Sequence, residues 1–413
     1  MALRPLIAIC GTTGVGKSKL AIELALHLSE LGLPHGWRGA KVINADAMQV
    51  YAGMDIITNK VTQEEMQGVP HALMGFKSPN EQYVVGQWVQ DAIAEVEDAH
   101  RRQQVPIVVG GTSYWIQHLL FPNRLVQRSP TEVRNTQTCA KMSDDLAESI
   151  ASLPPDLLDL FNALPDPPPT ADTDSEASFA LYRLLQTLDP SVAQRWHWKD
   201  TRKVMRSLRI IQESGRRPSE IIDDQSQEAL TPRYRTLCLW VYARPEILKP
   251  RLDLRIDRMI EQGLLDEVHE LQSAVKGNLS DGDLTSDYTF GIYQSIGYRE
   301  FHKYLLLSNP SERDFKTALE NMKISTRQYA KKQISWLRNK LLPALHAGNK
   351  IEQLSWTYVL DATELDDHWL TKVQKPAMNL CDLFLNHEFL PDPLSLSDVA
   401  EQVLGRIEHK PTE

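Results

Sequence analysis

A glycine-rich loop near the start of the chain constrains the fold more than any other feature. It reads Gly11-Thr-Thr-Gly-Val-Gly-Lys-Ser18 and matches the P-loop pattern in full. Residues 6–10, which precede it, form a short apolar run, and residues 18–31, which follow it, show helical periodicity. The segment therefore predicts a strand, a loop and a helix, which together begin a βαβ unit.

Such a loop turns successive backbone N–H groups toward a phosphate, and the helix that follows adds its positive N-terminus. A lysine supplies a cation, and a serine hydroxyl can ligate Mg²⁺. We therefore predict that phosphate groups are bound by Gly11, Thr12, Thr13, Gly14, Val15, Gly16, Lys17 and Ser18, with Mg²⁺ at Ser18. The motif alone leaves open whether the ligand is ATP, another nucleotide or an organic diphosphate.

Two further short apolar runs, residues 40–44 and 105–109, are predicted strands. The second ends in Gly110-Gly111-Thr112 and lacks the acidic residue with which nucleotide-hydrolysing P-loop enzymes hold magnesium, which disfavours ATP hydrolysis. Asp46 follows the other strand, at the position where open α/β sheets bind ligands. The Asp46 carboxylate can either accept a proton or cap the next helix. The Thr112 hydroxyl can likewise contact a ligand or cap a helix.

Strands that alternate with helices predict an α/β fold with a doubly wound parallel sheet, a mostly helical insertion and a helical C-terminal half. We place a P-loop core at residues 1–123, the insertion at 124–200, the rest of the core at 201–348 and a tail at 349–413. Helices are predicted at 177–188, 200–214, 245–273 with a break at Gly263, and 313–342. Residues 277–289 are predicted to form a mobile loop, and 356–360 a strand.

The net charge of −9 argues against general nucleic-acid affinity. Two clusters of basic residues nevertheless stand out: Lys323, Arg327, Lys331, Lys332, Arg338 and Lys340 in a segment without acidic residues, and Lys199, Arg202, Lys203, Arg206 and Arg209 at helical spacing.

No apolar run is long enough to cross a membrane, and no targeting segment is evident, which favours the cytoplasm with a mitochondrial pool as an open alternative. Four widely separated cysteines indicate neither disulfides nor a zinc site.

Several motifs occur in one order and together resemble the tRNA dimethylallyltransferases (tRNA isopentenyltransferases). These motifs are the P-loop, residues 46–55, Gly110-Gly-Thr112, residues 294–299 and residues 326–333 with Trp336, so the resemblance spans residues 6–338. Met48 and residues 56–60 resemble the eukaryotic branch. Many eukaryotic relatives carry a zinc finger in the tail, whereas in this sequence Cys381 stands alone, so we expect none.

The resemblance implies transfer of a dimethylallyl group from dimethylallyl diphosphate to N6 of the adenine 3′ of the anticodon in tRNA. Asp46 would be the general base, and the P-loop, Thr112 and Arg255 would act on the leaving diphosphate with Mg²⁺. Without the resemblance, the sequence around Arg255 indicates a solvated charge on a helix. The expected partners are the anticodon stem-loop and the prenyl donor, with no membrane and a monomeric chain.

The resemblance also implies a set of tRNA contacts. Matched by position they are Asp46, Ala47, Met48, Gln49, Arg202, Lys203, Arg206, Gln294, Gly297, Tyr298, Arg299, Lys331, Lys332, Gln333, Trp336 and Arg338. Tyr298 and Trp336 can stack on bases, but aromatic residues at helical spacing also serve as core. His197 and Asp200 are expected to be structural.

Three other functions remain open. An enzyme that prenylates free adenine nucleotides shares the donor site, but the basic segment 327–338 argues against it. A nucleotide-kinase type enzyme shares the P-loop and would transfer a phosphoryl group from ATP. An RNA-binding protein with a degenerate site is disfavoured by the intact Lys17, Asp46 and Thr112.

Overall fold

The computed structural model describes residues 3–30, 36–122, 142–227, 230–276, 291–349, 353–366 and 368–408. The chain divides into two compact units. One consists of residues 1–122 and 230–413, and the other of residues 123–229. No helix in the described part of the chain combines the length and the apolar character needed to cross a membrane.

Strands and helices alternate through the first part of the chain, and helices predominate after it. In chain order the strands are β1 (Pro5–Gly11), β2 (Ala40–Asn44), β3 (His71–Ala72), β4 (Val105–Val109), β5 (Arg235–Tyr242) and β6 (Ser355–Asp361). The α-helices are α1 (Lys17–His27), α2 (Gln63–Met66), α3 (Val85–Arg101), α4 (Ser113–Leu120), α5 (Asp144–Ala151), α6 (Pro155–Asn162), α7 (Ser175–Leu188), α8 (Pro190–Ala193), α9 (Thr201–Ser214), α10 (Pro218–Gln227), α11 (Pro245–Glu261), α12 (Leu264–Lys276), α13 (Tyr298–Leu305), α14 (Glu312–Trp336), α15 (Leu342–Gly348), α16 (Lys375–Leu385) and α17 (Asp398–Glu408). Helical turns of other types cover Gly291–Gln294, Leu337–Leu341, Leu370–Gln374 and Pro393–Leu396.

The first unit is built on one sheet in which all six strands are parallel, in the order β3-β2-β4-β1-β5-β6. The central strand β1 pairs Ile7 with Ile107 of β4 and with Leu237 of β5. Every residue of β1 is buried, as expected for a parallel sheet that is covered on both faces. Because the strands run in one direction, the loops that follow β1, β2 and β4 meet at one edge of the sheet.

The predicted α/β fold with a parallel sheet is confirmed, and so are the strands at 6–10, 40–44 and 105–109. The predicted strand at 356–360 is also confirmed as β6. The expectation of a helical C-terminal half was wrong for residues 235–242, which form strand β5, paired with β1 and β6. Its sequence, RTLCLWVY, is apolar on both faces, so it shows no alternation that would reveal a strand.

The helical predictions hold with small changes at the ends. Helix α1 ends at His27, earlier than expected. Gly263 separates α11 from α12 with a φ of 101°, so the predicted break is confirmed. Helix α14 begins at a capping box formed by Ser311 and continues through a π-helical turn into α15. The predicted mobile loop at 277–289 lies outside the described residues.

The second unit consists of α5 to α10 around its own apolar core. That core includes Leu146, Leu181, Leu185 and Leu208. The expected end of the insertion at residue 200 falls inside this unit, because α9 contributes Leu208 and its neighbours to the same core.

Residues of the predicted tail belong to the core of the first unit. Strand β6 adds to the sheet beside β5, and Phe384 of α16 is fully buried in the same cluster as the P-loop strand. Trp369 lies against the P-loop itself, since a methyl group added at Gly16 would fall 2.7 Å from its ring. Residues of the tail therefore pack against the P-loop and support it.

Candidate active site

The P-loop follows β1 and depends on glycine at positions where no side chain fits. Gly14 and Gly16 have φ angles of 80° and 87°, in the left-handed region that favours glycine. A methyl group at Gly14 would lie 2.7 Å from the Leu252 side chain. Helix α1 begins directly after the loop at Lys17 and has no side-chain cap, so its first N–H groups are available to an anion.

Lys17 lies inside this loop and donates a hydrogen bond from Nζ to the Thr12 carbonyl oxygen at 2.7 Å. Burial is the main cause that lowers the pKa of Lys17 to about 8; the nearby Asp46 carboxylate opposes this shift, and Arg255 adds to it. The ammonium group is therefore mostly protonated at neutral pH and lies in a site with little solvent to stabilise its charge.

Asp46 follows β2 and is held by its neighbour Asn44. The Asn44 side chain accepts from the Asp46 N–H at 3.1 Å and donates to the Asp46 carbonyl oxygen at 3.2 Å. One carboxylate oxygen of Asp46 accepts the Met48 N–H at 3.0 Å, and the other makes no hydrogen bond to the described residues. The residues after Asp46 form turns, so the alternative role as a helix cap is wrong.

Thr112 lies in the turn after β4, which packs closely against the loop carrying Asp46. A methyl group at Gly110 would fall 2.1 Å from the Ala45 carbonyl oxygen. The Thr112 hydroxyl accepts the Ala47 N–H at 3.1 Å and does not cap α4, so the alternative of helix capping is wrong for this residue too. The hydroxyl joins the two loops at the edge of the sheet.

Arg255 lies on α11, and its guanidinium is buried among the same groups. Burial lowers its pKa to about 10, and the Asp46 carboxylate opposes this shift. Its Nε is buried without a hydrogen-bond partner in the described part of the protein. Arg255 is thus a buried cation facing the site, and the alternative of a solvated helix charge is wrong.

Two side chains of α14, those of Tyr329 and Gln333, reach this site. Tyr329 was not predicted as a site residue, and Gln333 was predicted to contact tRNA. Gln333, expected to contact tRNA, is only 5% exposed and lies against the P-loop. Its Oε1 accepts the Thr13 N–H at 2.9 Å, and its Nε2 donates to the Gly111 carbonyl oxygen at 3.1 Å. Tyr329, one helical turn earlier, lies beside the side chains of Thr112 and Gln333 and interacts with both. Their spacing of four residues was the available signal, because it places both on one helix face.

The other residues matched to tRNA contacts in the first unit differ in exposure. Lys331, Lys332 and Arg299 are exposed. Gln294 and Gln49 are partly buried, and their side-chain amides donate to backbone oxygens, that of Gly291 at 2.9 Å for Gln294. Ala47, Met48 and Arg338 are partly buried as well.

The two aromatic residues of this set serve mainly as packing. Tyr298 is 5% exposed and stacks on His302 with ring centroids 5.1 Å apart. Trp336 meets Tyr114 edge to face at 5.3 Å. The Trp336 indole N–H is buried and has no hydrogen-bond partner among the described residues. Gly297 is buried with a φ of 106°, where a methyl group would fall 2.9 Å from Ile57.

Arg202, Lys203 and Arg206 belong to the second unit and lie on α9. Arg202 and Lys203 are exposed, and the Lys203 ammonium pairs with Asp200 at 2.5 Å. Arg206 is partly buried and lies 3.8 Å from the carboxylate of Glu213. The His197 ring accepts the N–H of Lys199 at 3.2 Å, and the side chain of Asp200, at the start of α9, does not cap the helix.

Comparisons with known proteins identify the family to which the chain belongs. The family model described as IPP transferase matches residues 49–340. The tRNA dimethylallyltransferase of Schizosaccharomyces pombe is 36% identical over 378 residues, covering 90% of this chain and 77% of the relative. The human tRNA dimethylallyltransferase is 31% identical over 407 residues, with coverages of 95% and 77%.

Two solved structures share the fold. A eukaryotic dimethylallyltransferase acting on tRNA superimposes with a TM-score of 0.73 and 31% identity, covering 99% of this chain and 87% of that one. The tRNA isopentenylpyrophosphate transferase of Bacillus halodurans superimposes with a TM-score of 0.53 and 26% identity, with coverages of 93% and 97%. The chain therefore belongs to the IPP transferase family of enzymes.

Proposed function

We propose that this chain transfers a dimethylallyl group from dimethylallyl diphosphate to N6 of the adenine 3′ of the anticodon in tRNA. The names of its relatives support the reaction class. The observation that carries the proposal is the Asp46 carboxylate, which has one oxygen free of hydrogen bonds to the described residues and lies beside the buried cations Lys17 and Arg255. A base and an anion site thus occur side by side.

The diphosphate would bind where polar groups are buried without partners. In the described residues these include the Thr12 hydroxyl and Arg255 Nε. Uncompensated buried polar groups are costly, and a phosphate oxygen would satisfy both. Lys17 and Arg255 would then neutralise the charge that develops on the diphosphate as the allylic C–O bond breaks.

Mg²⁺ fits the same place. The Ser18 hydroxyl makes no hydrogen bond to the described residues, and hydroxyl and phosphate oxygens are ligands that Mg²⁺ prefers. No group of three or more His, Cys, Asp or Glu side chains within the described ranges is arranged as a metal site. Ser18 would therefore hold the ion together with the diphosphate, and the ion would supply further charge neutralisation for the leaving group.

Asp46 would hydrogen-bond the exocyclic amine of adenine and take its proton as the new C–N bond forms. The Asn44 side chain holds the Asp46 backbone and the Met48 N–H holds one carboxylate oxygen, which would leave the other oxygen available to the amine. The acceptor base would have to leave its stack in the anticodon loop, as other enzymes that modify bases require. The exposed Lys331 and Lys332 would contribute to binding the tRNA backbone.

The test incubates the protein with Mg²⁺, labelled dimethylallyl diphosphate and either unmodified tRNA or AMP. We expect label on tRNA, on the adenine 3′ of the anticodon. The Asp46→Asn variant should lose about 10²- to 10⁴-fold in kcat, the usual contribution of a general base. Asp361→Asn is the matched control, because Asp361 also ends a parallel strand and accepts an N–H two residues on, at 3.0 Å.

Each other outcome points to a different function. Label on AMP alone would assign the chain to enzymes that prenylate free nucleotides. Turnover of ATP without prenyl transfer would support the kinase alternative. Equal activity of Asp46→Asn and Asp361→Asn would refute the role of Asp46 as the base.

A further inference from the structure

One face of α14 reaches into the phosphate-binding site through two side chains. Tyr329 and Gln333 are four residues apart and therefore project from the same face of the helix. Both are enclosed, and their polar ends lie at the loops that follow β1 and β4. The proposed reaction chemistry uses neither residue.

The Gln333 amide joins two segments of the phosphate site that are distant in sequence. It accepts from the backbone N–H of Thr13 in the P-loop and donates to the carbonyl oxygen of Gly111 in the turn after β4. Space for it exists only because residue 111 is glycine, since a methyl group there would lie 2.3 Å from Gln333 Nε2. The amide thus fixes the position of the P-loop relative to the turn that carries Thr112.

The Tyr329 hydroxyl extends this bridge to Thr112. It lies beside the Thr112 hydroxyl and the Gln333 side chain and interacts with both. Burial, and after it the charge of Asp46, raises the pKa of Tyr329 well above its usual range, so the phenol remains protonated and neutral. The phenol is therefore a stable hydrogen-bonding partner at any pH at which the enzyme would work.

The outer face of the same helical turn is basic. Lys331 and Lys332 lie between Tyr329 and Gln333 in sequence, and both are exposed. A single turn of α14 thus holds the phosphate site on its inner face and presents two cations to solvent on its outer face. Side chains on a rigid helix keep a fixed spatial relation to one another.

We propose that Tyr329 and Gln333 are positioning residues that lock the P-loop and the Gly110–Thr112 turn into the arrangement that binds diphosphate. Through them the helix whose outer face binds tRNA is tied to the donor site. The proposal rests on the proposed function and assigns Gln333 to the donor side of the reaction instead of a tRNA contact. It follows that loss of either side chain weakens diphosphate binding while binding of tRNA stays unchanged.

The experiment compares Gln333→Met and Tyr329→Phe with the wild type. Methionine has about the length of glutamine but cannot make the hydrogen bonds of its amide, and phenylalanine differs from tyrosine only by the missing hydroxyl group. Binding of inorganic diphosphate with Mg²⁺ is measured by calorimetry, and binding of unmodified tRNA without donor is measured by filter retention. We expect each variant to bind diphosphate at least fivefold more weakly and tRNA within twofold of the wild type.

Two controls separate positioning from general damage to the fold. Gln272→Met removes another buried glutamine, whose Nε2 donates to the His302 carbonyl oxygen at 3.3 Å, and should leave diphosphate binding unchanged. A Lys331→Ala/Lys332→Ala double variant should show the opposite pattern, with weaker tRNA binding and normal diphosphate binding. If Gln333→Met does not fold, Tyr329→Phe tests the same bridge with a smaller change.

The binding patterns of the variants distinguish the possible roles of Gln333. Weaker tRNA binding by Gln333→Met with normal diphosphate binding would make Gln333 a tRNA contact and overturn the proposal. Normal binding of both ligands by folded variants would overturn it as well. Since diphosphate binding is measured without turnover, failure of the wild type to prenylate tRNA would refute the proposed function without changing the outcome of the binding comparison.

Discussion

Lys17 gives a pH dependence that follows directly from its surroundings. Its pKa in the free protein is about 8, lowered from 10.5 chiefly by burial. A bound diphosphate brings negative charge to the ammonium group and raises that pKa again. Binding therefore takes up a proton, and affinity is complete below pH 8 and is lost as the pH rises through that value.

The size of the effect follows from the protonated fraction of Lys17. That fraction falls from about nine-tenths at pH 7 to about one-tenth at pH 9, so the Kd for the prenyl donor should rise about tenfold, or about 1.4 kcal/mol. The terminal phosphate of the donor contributes little, because its second pKa is about 6 and it is fully ionised over most of this range.

The assay is calorimetric titration of the protein with dimethylallyl diphosphate and Mg²⁺ between pH 7 and 9, without tRNA. Repeating it at pH 8 in buffers of different ionisation enthalpy should show uptake of about half a proton per site. Lys17→Met should bind more weakly at pH 7, by about 1.5–3 kcal/mol, and without this pH dependence. A wild-type Kd that is constant from pH 7 to 9 would refute the reasoning.

Three further predictions concern the surroundings of the site. Trp369→Ala should lower the free energy of unfolding by about 3–5 kcal/mol, since it empties a buried site against Gly16; a change below about 1 kcal/mol in denaturant titration would contradict this. Removing Lys331 and Lys332 together should reduce the slope of log tRNA affinity against log salt by about two, and an unchanged slope would exclude them from backbone contacts. Glu267→Gln should weaken tRNA binding and leave diphosphate binding intact, because its carboxylate accepts the Ile56 and Ile57 N–H groups at 2.9 Å and so holds the loop whose carbonyl oxygens bind the side chain of Gln49, a predicted tRNA contact; equal tRNA affinity would argue against this role of Glu267.

Three of the strands that precede the helical insertion, β1, β2 and β4, were predictable because each is a short apolar run ending at or before glycine or asparagine, whereas the two-residue strand β3 was not predicted. Strand β5 was not, since its residues are buried on both faces and it follows a long helical region. Strand β6 was recognisable as a strand, but its place beside β5 depends on pairing across more than a hundred residues. Local patterns carry no information about such pairing.

In the site, too, features set by local sequence were predictable and features set by long-range packing were not. The P-loop and the positions of Asp46 and Thr112 at strand ends could be predicted, because chain direction brings those ends together. The burial of Arg255 and the inward direction of Gln333 could not, because helical spacing groups residues on a face without showing what that face contacts. Tyr329 was missed for this reason, although it lies four residues before Gln333, a spacing that places the two side chains on one helix face.

The order of strands in the sheet has a consequence for synthesis of the protein. Strand β1 leaves the ribosome about 350 residues before β6, and at 5–20 residues per second the delay is roughly 20–70 s. For about the first two-thirds of that time the strand bearing the P-loop lacks its neighbour β5, and throughout it the loop lacks Trp369. A translation product that stops before residue 355 therefore carries the whole P-loop motif and β5 but lacks β6 and the Trp369 side chain that packs against Gly16.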